Sequence, residues 1–253
     1  MGSTWEDGYL SSESFLSSSA GFQRGRPSSI IELKSQMHSS PTSAIQKWQI
    51  EFSKNGRVKC WTLMERSTWQ LLEAGGLLTC PIGEANDDPS FQNAYAWMKD
   101  SMASAGILAP EPGISPWWCW VRREENHPEP YIEDTEGLHD PVVLELSVPS
   151  EEIVLSCFDL WHFVLNKCYV SASELDEQGF DQAQERAEEG SDAALQLQRR
   201  MRKSWSAVFE LDQNAVDMGA FEAKSIQGCF WTLRLSDVTS IVERDVLSSN
   251  YQP

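Results

Sequence analysis

The chain of 253 residues has 41% hydrophobic and 23% charged side chains, a globular composition with room for one large domain or two small ones. Its formal charge of −18 argues against unspecific binding to phosphate backbones, which needs clustered Lys and Arg; Arg122-Arg123 and the basic run at 199–203 read as solvated faces. No stretch approaches the roughly 18 apolar residues of a membrane span, and no apolar signal region opens the chain, so a cytoplasmic location is expected.

Residues 1–43 are Ser-rich, with Gly, Pro and Gln and no sustained apolar period. Such a segment buries too little surface to offset its ordering entropy, so a disordered arm is expected ahead of a single domain over 44–253. Met1-Gly2 starts like a myristoylation signal, but Glu6 stands where Ser or Thr is preferred. The leader also resembles in composition the secretion signals of bacterial effectors, which is the alternative to a cytoplasmic location.

Ile45, Trp48 and Phe52 mark a short lead-in and Asn55-Gly56 a turn, after which residues 57–64 alternate polar and apolar as a first strand. A helix follows, with Ser67 as its N-cap and Gly75-Gly76 as its end. Beyond the turn-rich 81–89, Phe91, Tyr95, Met98 and Met102 recur at spacings of three and four and predict a helix over 90–105. Residues 116–121 read as an aromatic strand, in which alternation places Trp118 and Trp120 on one face and Trp117 on the other.

A polar excursion over 124–140 leads to the clearest strand, 142–148. An apolar segment from Ile153 then runs into a short buried helix over 159–169, with Asp159 near its N-terminus. Residues 173–198 are acidic and predict an exposed helical insertion; packing resumes at Met201, and a final strand over 228–235 and the segment 238–246 complete the chain. Strands and helices mixed without βαβ repetition predict an α+β fold of small, mostly antiparallel sheets with flanking helices.

Asp159, His162 and Asn166 fall on one helical face, where a carboxylate that orients an imidazole beside an amide is a usable acid/base set. The same residues also suit a cap, a half-buried hydrogen-bonded histidine and a helix end. The 11 tryptophans supply large aromatic surfaces; most suit a core, while Trp118, Trp120 and their neighbours could offer a stacking platform to a base or nicotinamide ring. The six cysteines stand singly with no Cys-x-x-Cys spacing and read as buried thiols, so no metal site is expected. The phosphate-binding Gly-rich loops, the nucleophile elbow and the zincin motif are all absent.

Trp61-Thr62, the aromatic strand from Pro116 to Trp120, the block from Leu155 to Asn166, the segment from Lys203 to Asp212 and the segment from Gln227 to Val238 together resemble an uncharacterised bacterial family, domain of unknown function 3841, over residues 58–242. Against that family's pattern, Met64 stands where Gln is common, Cys157 where Asp is common and Thr232 where Glu is common.

By order of elements, the chain is also similar to ADP-ribosyltransferases, which implies a toxin or effector domain holding NAD in a cleft between two small sheets. In that reading catalysis leans on Gln227 or Glu222, or is lost, because Thr232 is not acidic; with Gln227, His162 and Asp159 of the helical set are the catalytic candidates. Trp61, Thr62, Trp118, Trp120, Trp161, Asn166 and Trp231 would contact the ligand. The alternative is a non-catalytic module whose partner is a small molecule or a protein.

Overall fold

The computed structural model describes residues 41–81, 89–212 and 223–249. The expected arm lies outside the described residues except at its end, where Pro41 already opens the first helix, α1 (Pro41–Glu51). Proline suits that place because its missing N–H would have no partner inside the helix. Next come β1 (Ser53–Lys54) and β2 (Arg57–Glu65), a tight hairpin whose turn puts Asn55 and Gly56 at φ 56° and 75°. An Asn-Gly pair adopts those positive angles at little cost, and the resulting turn matches the twist of its strands.

α2 (Arg66–Gly75) begins one residue before the predicted cap. Glu65 occupies the cap position without a side-chain bond, and the Arg66 N–H is satisfied by the Asp140 carbonyl at 3.0 Å, so Ser67 lies inside the helix. Gly76 ends α2 in the left-handed conformation, φ 75°. β3 (Leu77–Pro81) follows directly, over residues to which the sequence alone assigns no strand.

Then come α3 (Pro89–Ser104), which buries Ala94, Met98 and Met102, and the strands β4 (Ile114–Ser115), β5 (Trp117–Arg122), β6 (Pro141–Pro149) and β7 (Ile153–Cys157). α4 (Phe158–Leu165) follows β7 without a loop. The acidic insertion is a pair of helices, α5 (Glu174–Arg186) and α6 (Asp192–Ser204), each capped by a serine hydroxyl, Ser173 and Ser191. A 3-10 turn, Trp205–Phe209, returns the chain to the core. The predicted final strand is two strands in different sheets: β8 (Ile226–Phe230) and β9 (Thr232–Arg234) part at Trp231. β10 (Val238–Glu243) closes the described order.

These elements form an α+β fold with two antiparallel sheets: a large one in the order β10-β6-β2-β5-β8-β7, with β1 beside β2, and a small one in the order β4-β3-β9. α1 covers the outer edge of the large sheet, where Gln49 Nε2 donates to the Ile153 carbonyl at 2.9 Å and occupies an acceptor of the edge strand.

The large sheet cannot be flat. Four ladder steps separate β6 from β7, about 19 Å at ordinary strand spacing. Yet Pro149 ends β6 and Ile153 starts β7, and four Cα steps reach about 14 Å at most. The register shows where the sheet bends: β2 meets β5 through one pair, Trp61 opposite Trp120, whereas β2 and β6 pair along nine positions. Beside that pair, the Thr62 hydroxyl donates to the Trp118 carbonyl at 2.9 Å and takes over where the ladder lapses. Two half-sheets, β10-β6-β2 and β5-β8-β7, therefore meet at a corner made by two tryptophans.

Candidate functional site

One residue from each of six strands of the large sheet lies in a single cross-strand row: Ser240, Glu145, Trp61, Trp120, Gln227 and Ser156. Paired positions share a face of a sheet, so this row brings two of the predicted ligand-binding tryptophans beside the predicted catalytic Gln227. Trp61, Trp120 and Gln227 are all buried, and Gln227 Nε2 donates to Ser156 Oγ at 3.3 Å. On the far side of Trp61, Lys59 lies 4.8 Å over the indole and pairs with Glu145 at 2.8 Å. The row belongs to a small apolar cluster separate from the main core, formed by Trp61, Leu63, Trp120 and Val143 with Leu138, Phe158, Val242 and Leu247 against it.

Above Trp120 stands a stack that the sequence did not reveal. The Arg123 guanidinium lies 4.8 Å from the Trp120 ring and 5.9 Å from those of Tyr131 and Phe158, and His127 stacks on Tyr131 at 4.1 Å with the planes 14° apart. Arg123 is thus not the solvated residue expected of a basic pair: its side chain is 21% exposed and its Nε lies 3.2 Å from both oxygens of Asp134. Arg122 likewise donates to the Lys224 carbonyl at 3.2 Å.

The 124–140 excursion carries Tyr131, Asp134 and His127 back over the row, tied by Tyr131 Oη donating to Glu124 at 3.1 Å and by the Tyr131 N–H donating to Asp134 at 2.8 Å. Desolvation, then the Glu124 carboxylate, push the Tyr131 hydroxyl above its ordinary pKa. Two ring nitrogens here are buried without a hydrogen-bond partner, Trp120 Nε1 and His127 Nε2. An unmet buried donor or acceptor costs about 1–3 kcal/mol, so two of them at the two ends of one stack call for a reason.

α4 lies across the face of β5 that carries Trp118 and Trp120. Phe158 meets Trp120 at 4.7 Å and Trp161 meets Trp118 at 5.1 Å, which agrees with the predicted alternation and with residues three apart on a helix sharing a face. Asp159 and His162 therefore sit at the rim of the same corner. Desolvation raises the Asp159 carboxyl above its ordinary pKa, against the lowering pull of His162 and Arg123. His162 is held by its Nδ1, 3.0 Å from the Phe158 carbonyl, so Nδ1 carries the proton in that bond.

The remaining predicted residues stand elsewhere. Asn166 is the C-cap of α4, its amide donating to the His162 carbonyl at 2.8 Å, so it ends the helix and does not join Asp159 and His162 in a polar trio. Thr62 points to the opposite face of β2 and is committed to the Trp118 carbonyl. Trp231 is buried with Nε1 donating to the Ile107 carbonyl at 3.0 Å. Trp118 and Trp161 pack with Tyr95 of α3, at 6.2 and 5.9 Å, as part of the main core. Thr232 lies in the small sheet opposite Thr79, and Glu222 falls outside the described residues.

A shallow open depression of about 530 Å³ lies at the Glu243 end of β10, lined by Arg66, Leu138, His139, Asp140, Glu243 and Arg244 among others. It holds none of the predicted site residues, and Arg66 is committed there to Asp140 and Glu243. Among the described residues no helix is long and apolar enough to cross a membrane, and no group of three or more His, Cys, Asp or Glu is placed to hold a metal ion. Cys119 and Cys229 are fully enclosed in the core, where desolvation pushes both thiols well up.

No curated protein and no solved structure matches the chain. The sequence profile of one family, described as a domain of unknown function (DUF3841), matches residues 60–239, which run from within β2 to the start of β10 and include Trp61, Trp120, Arg123 and Gln227: the chain belongs to that family.

Proposed function

We propose that this domain binds a nucleotide, with NAD the foremost candidate, at the corner between the two half-sheets, in the manner of an ADP-ribosyltransferase-like fold. The observation that carries the reading is the junction itself: one tryptophan pair, Trp61 and Trp120, joins the halves, with the Gln227 amide next in the row and the Arg123 guanidinium above it. Indole faces suit a planar base, an amide suits its edge, and a guanidinium suits a phosphate. His162 at the rim, its ring held by the Phe158 carbonyl, would supply a proton acceptor in a transferase, and Asp159 a carboxylate beside it.

A second reading, a binding module without catalysis, is favoured by how the polar residues are already occupied: Asn166 caps α4, and Thr232, where the family commonly has Glu, lies in the other sheet. One experiment separates these readings from each other and from neither. The full chain is heated with NAD, ADP, ATP or a short RNA. A nucleotide at a hundred times its Kd stabilises the native state by about 2.7 kcal/mol, roughly 5–10 °C in Tm for a chain of this size. A shift with NAD that Gln227→Ala abolishes and Asn166→Ala leaves intact supports nucleotide binding at the corner, and NAD consumption on longer incubation then selects the transferase. No shift with any nucleotide sinks the proposal.

A further inference from the structure

We propose that the Asp134 carboxylate holds, on Arg123, the place of the ligand's phosphate, so that the 124–140 excursion is a built-in competitor of nucleotide binding. The proposal rests on the nucleotide reading above and says how access to that site is controlled.

The geometry of the pair comes first. A well-matched Arg–carboxylate pair uses two parallel N–H bonds, at about 2.7–2.9 Å. Here a single N–H, that of Nε, is shared between both Asp134 oxygens at 3.2 Å, and Nη1 reaches only Ser225 Oγ at 3.5 Å. The fork of Arg123 is thus filled by a carboxylate that does not fit it well. A tetrahedral phosphate, with more acceptor oxygens, could take both edges of the guanidinium.

Closure comes second. Trp120 is 7% exposed and the Asp134 side chain 14%, so no ligand reaches the indole while the excursion is seated. Asp134, Tyr131 and His127 cover the corner as a unit, tied to Glu124 by the Tyr131 hydroxyl and, at the other end, through the Ile132 N–H to the Ser248 carbonyl at 2.9 Å.

The orphan nitrogens come third. Seating the excursion leaves Trp120 Nε1 and His127 Nε2 buried and unmet, one at each end of the stack. A ligand that displaced Asp134 would bring acceptors to the indole N–H and release His127 to water, so its arrival would relieve a cost that the closed state bears.

The test compares the full-length wild-type chain with Asp134→Asn, which keeps the shape and removes the charge, by calorimetric titration with ADP and with adenosine. The expected result is that Asp134→Asn binds ADP about tenfold or more tightly than wild type, that adenosine binding changes little, and that Arg123→Ala in the Asp134→Asn background cancels the gain. Should Asp134→Asn not fold, Glu124→Gln serves instead: it loosens the Tyr131 tie without touching the pair, with an expected gain of about twofold to fivefold. Equal ADP affinity in wild type and a folded Asp134→Asn overturns the competitor role and leaves the nucleotide reading standing. No binding of ADP or adenosine by any of these chains overturns both.

Discussion

Trp61 and Trp120 face each other across the one register pair that joins β2 to β5 among the described residues, and everything distinctive about the site follows from that pairing. It sets the bend of the large sheet, aligns Gln227 with the tryptophans, and leaves the Trp120 indole N–H under Arg123 without an acceptor.

The orphan N–H is directly observable. In a ¹⁵N-labelled sample the Trp120 indole signal, assigned by its disappearance in Trp120→Phe, should move downfield when ADP binds, because the proton gains an acceptor. The Trp231 indole signal should stay in place, since its bond to the Ile107 carbonyl is internal to the core. A Trp120 signal that does not respond while ADP is bound elsewhere on the chain removes the indole from the site.

Thr62 tests the corner without touching the site. Thr62→Val keeps the shape and removes the donor to the buried carbonyl of Trp118, so it should lower the stability measured by urea unfolding by about 1–3 kcal/mol. Nucleotide affinity should be unchanged, since Thr62 lies on the face of β2 away from Trp61.

Gly228 sits beside Gln227 in β8, where an added Cβ would lie 2.7 Å from Ile153 Cδ1 and 3.0 Å from Cys119 Sγ. Gly228→Ala should therefore cost about 1–3 kcal/mol through overpacking. Both contacts are side-chain ends, so adding Ile153→Val, which deletes the Cδ1 methyl, should recover part of that loss. A double variant less stable than Gly228→Ala alone would show that the clash is not with Ile153.

Asp176 anchors the α5–α6 pair. Desolvation works to raise its pKa, but the Ala172 N–H, the Tyr169 hydroxyl and Arg200 outweigh that and hold the carboxyl below its ordinary 3.8. Its contribution is therefore complete above about pH 4 and is lost as pH falls through the lower folded value. Asp176→Asn should cost about 1 kcal/mol near pH 7, a modest figure because Arg200 is largely exposed, and progressively less as the pH falls below about 4. A cost that does not fall with pH removes the charge from the explanation.

What sequence could and could not reveal divides along contact range. β2 and β6 are legible because polar and apolar residues alternate over part of each, 57–60 and 144–148, and α3 because Met98 and Met102 recur at helical spacing. β3 was hidden because its few residues follow Gly75-Gly76 with no pattern of their own; pairing with β9 creates it. The split of β8 from β9 was hidden for the same reason, since Trp231 continues an apolar run and only the pairing, of β8 with β5 and β7 and of β9 with β3, shows that the chain is leaving one sheet for the other.

For the site, the sequence by itself determined the local chemistry: the alternation of Trp118 and Trp120 in β5, and the helix that carries Asp159 and His162. Only the tertiary structure decided which of these residues meet. The row from Ser240 to Ser156 joins six strands that are scattered along the chain, so its register is settled by long-range packing that no local pattern records. Arg123 shows the same limit most sharply: as one of two adjacent arginines in an acidic chain it looks like a solvent-facing charge. It becomes the centre of a stack because the 124–140 excursion folds back and brings Tyr131 and Asp134 onto it.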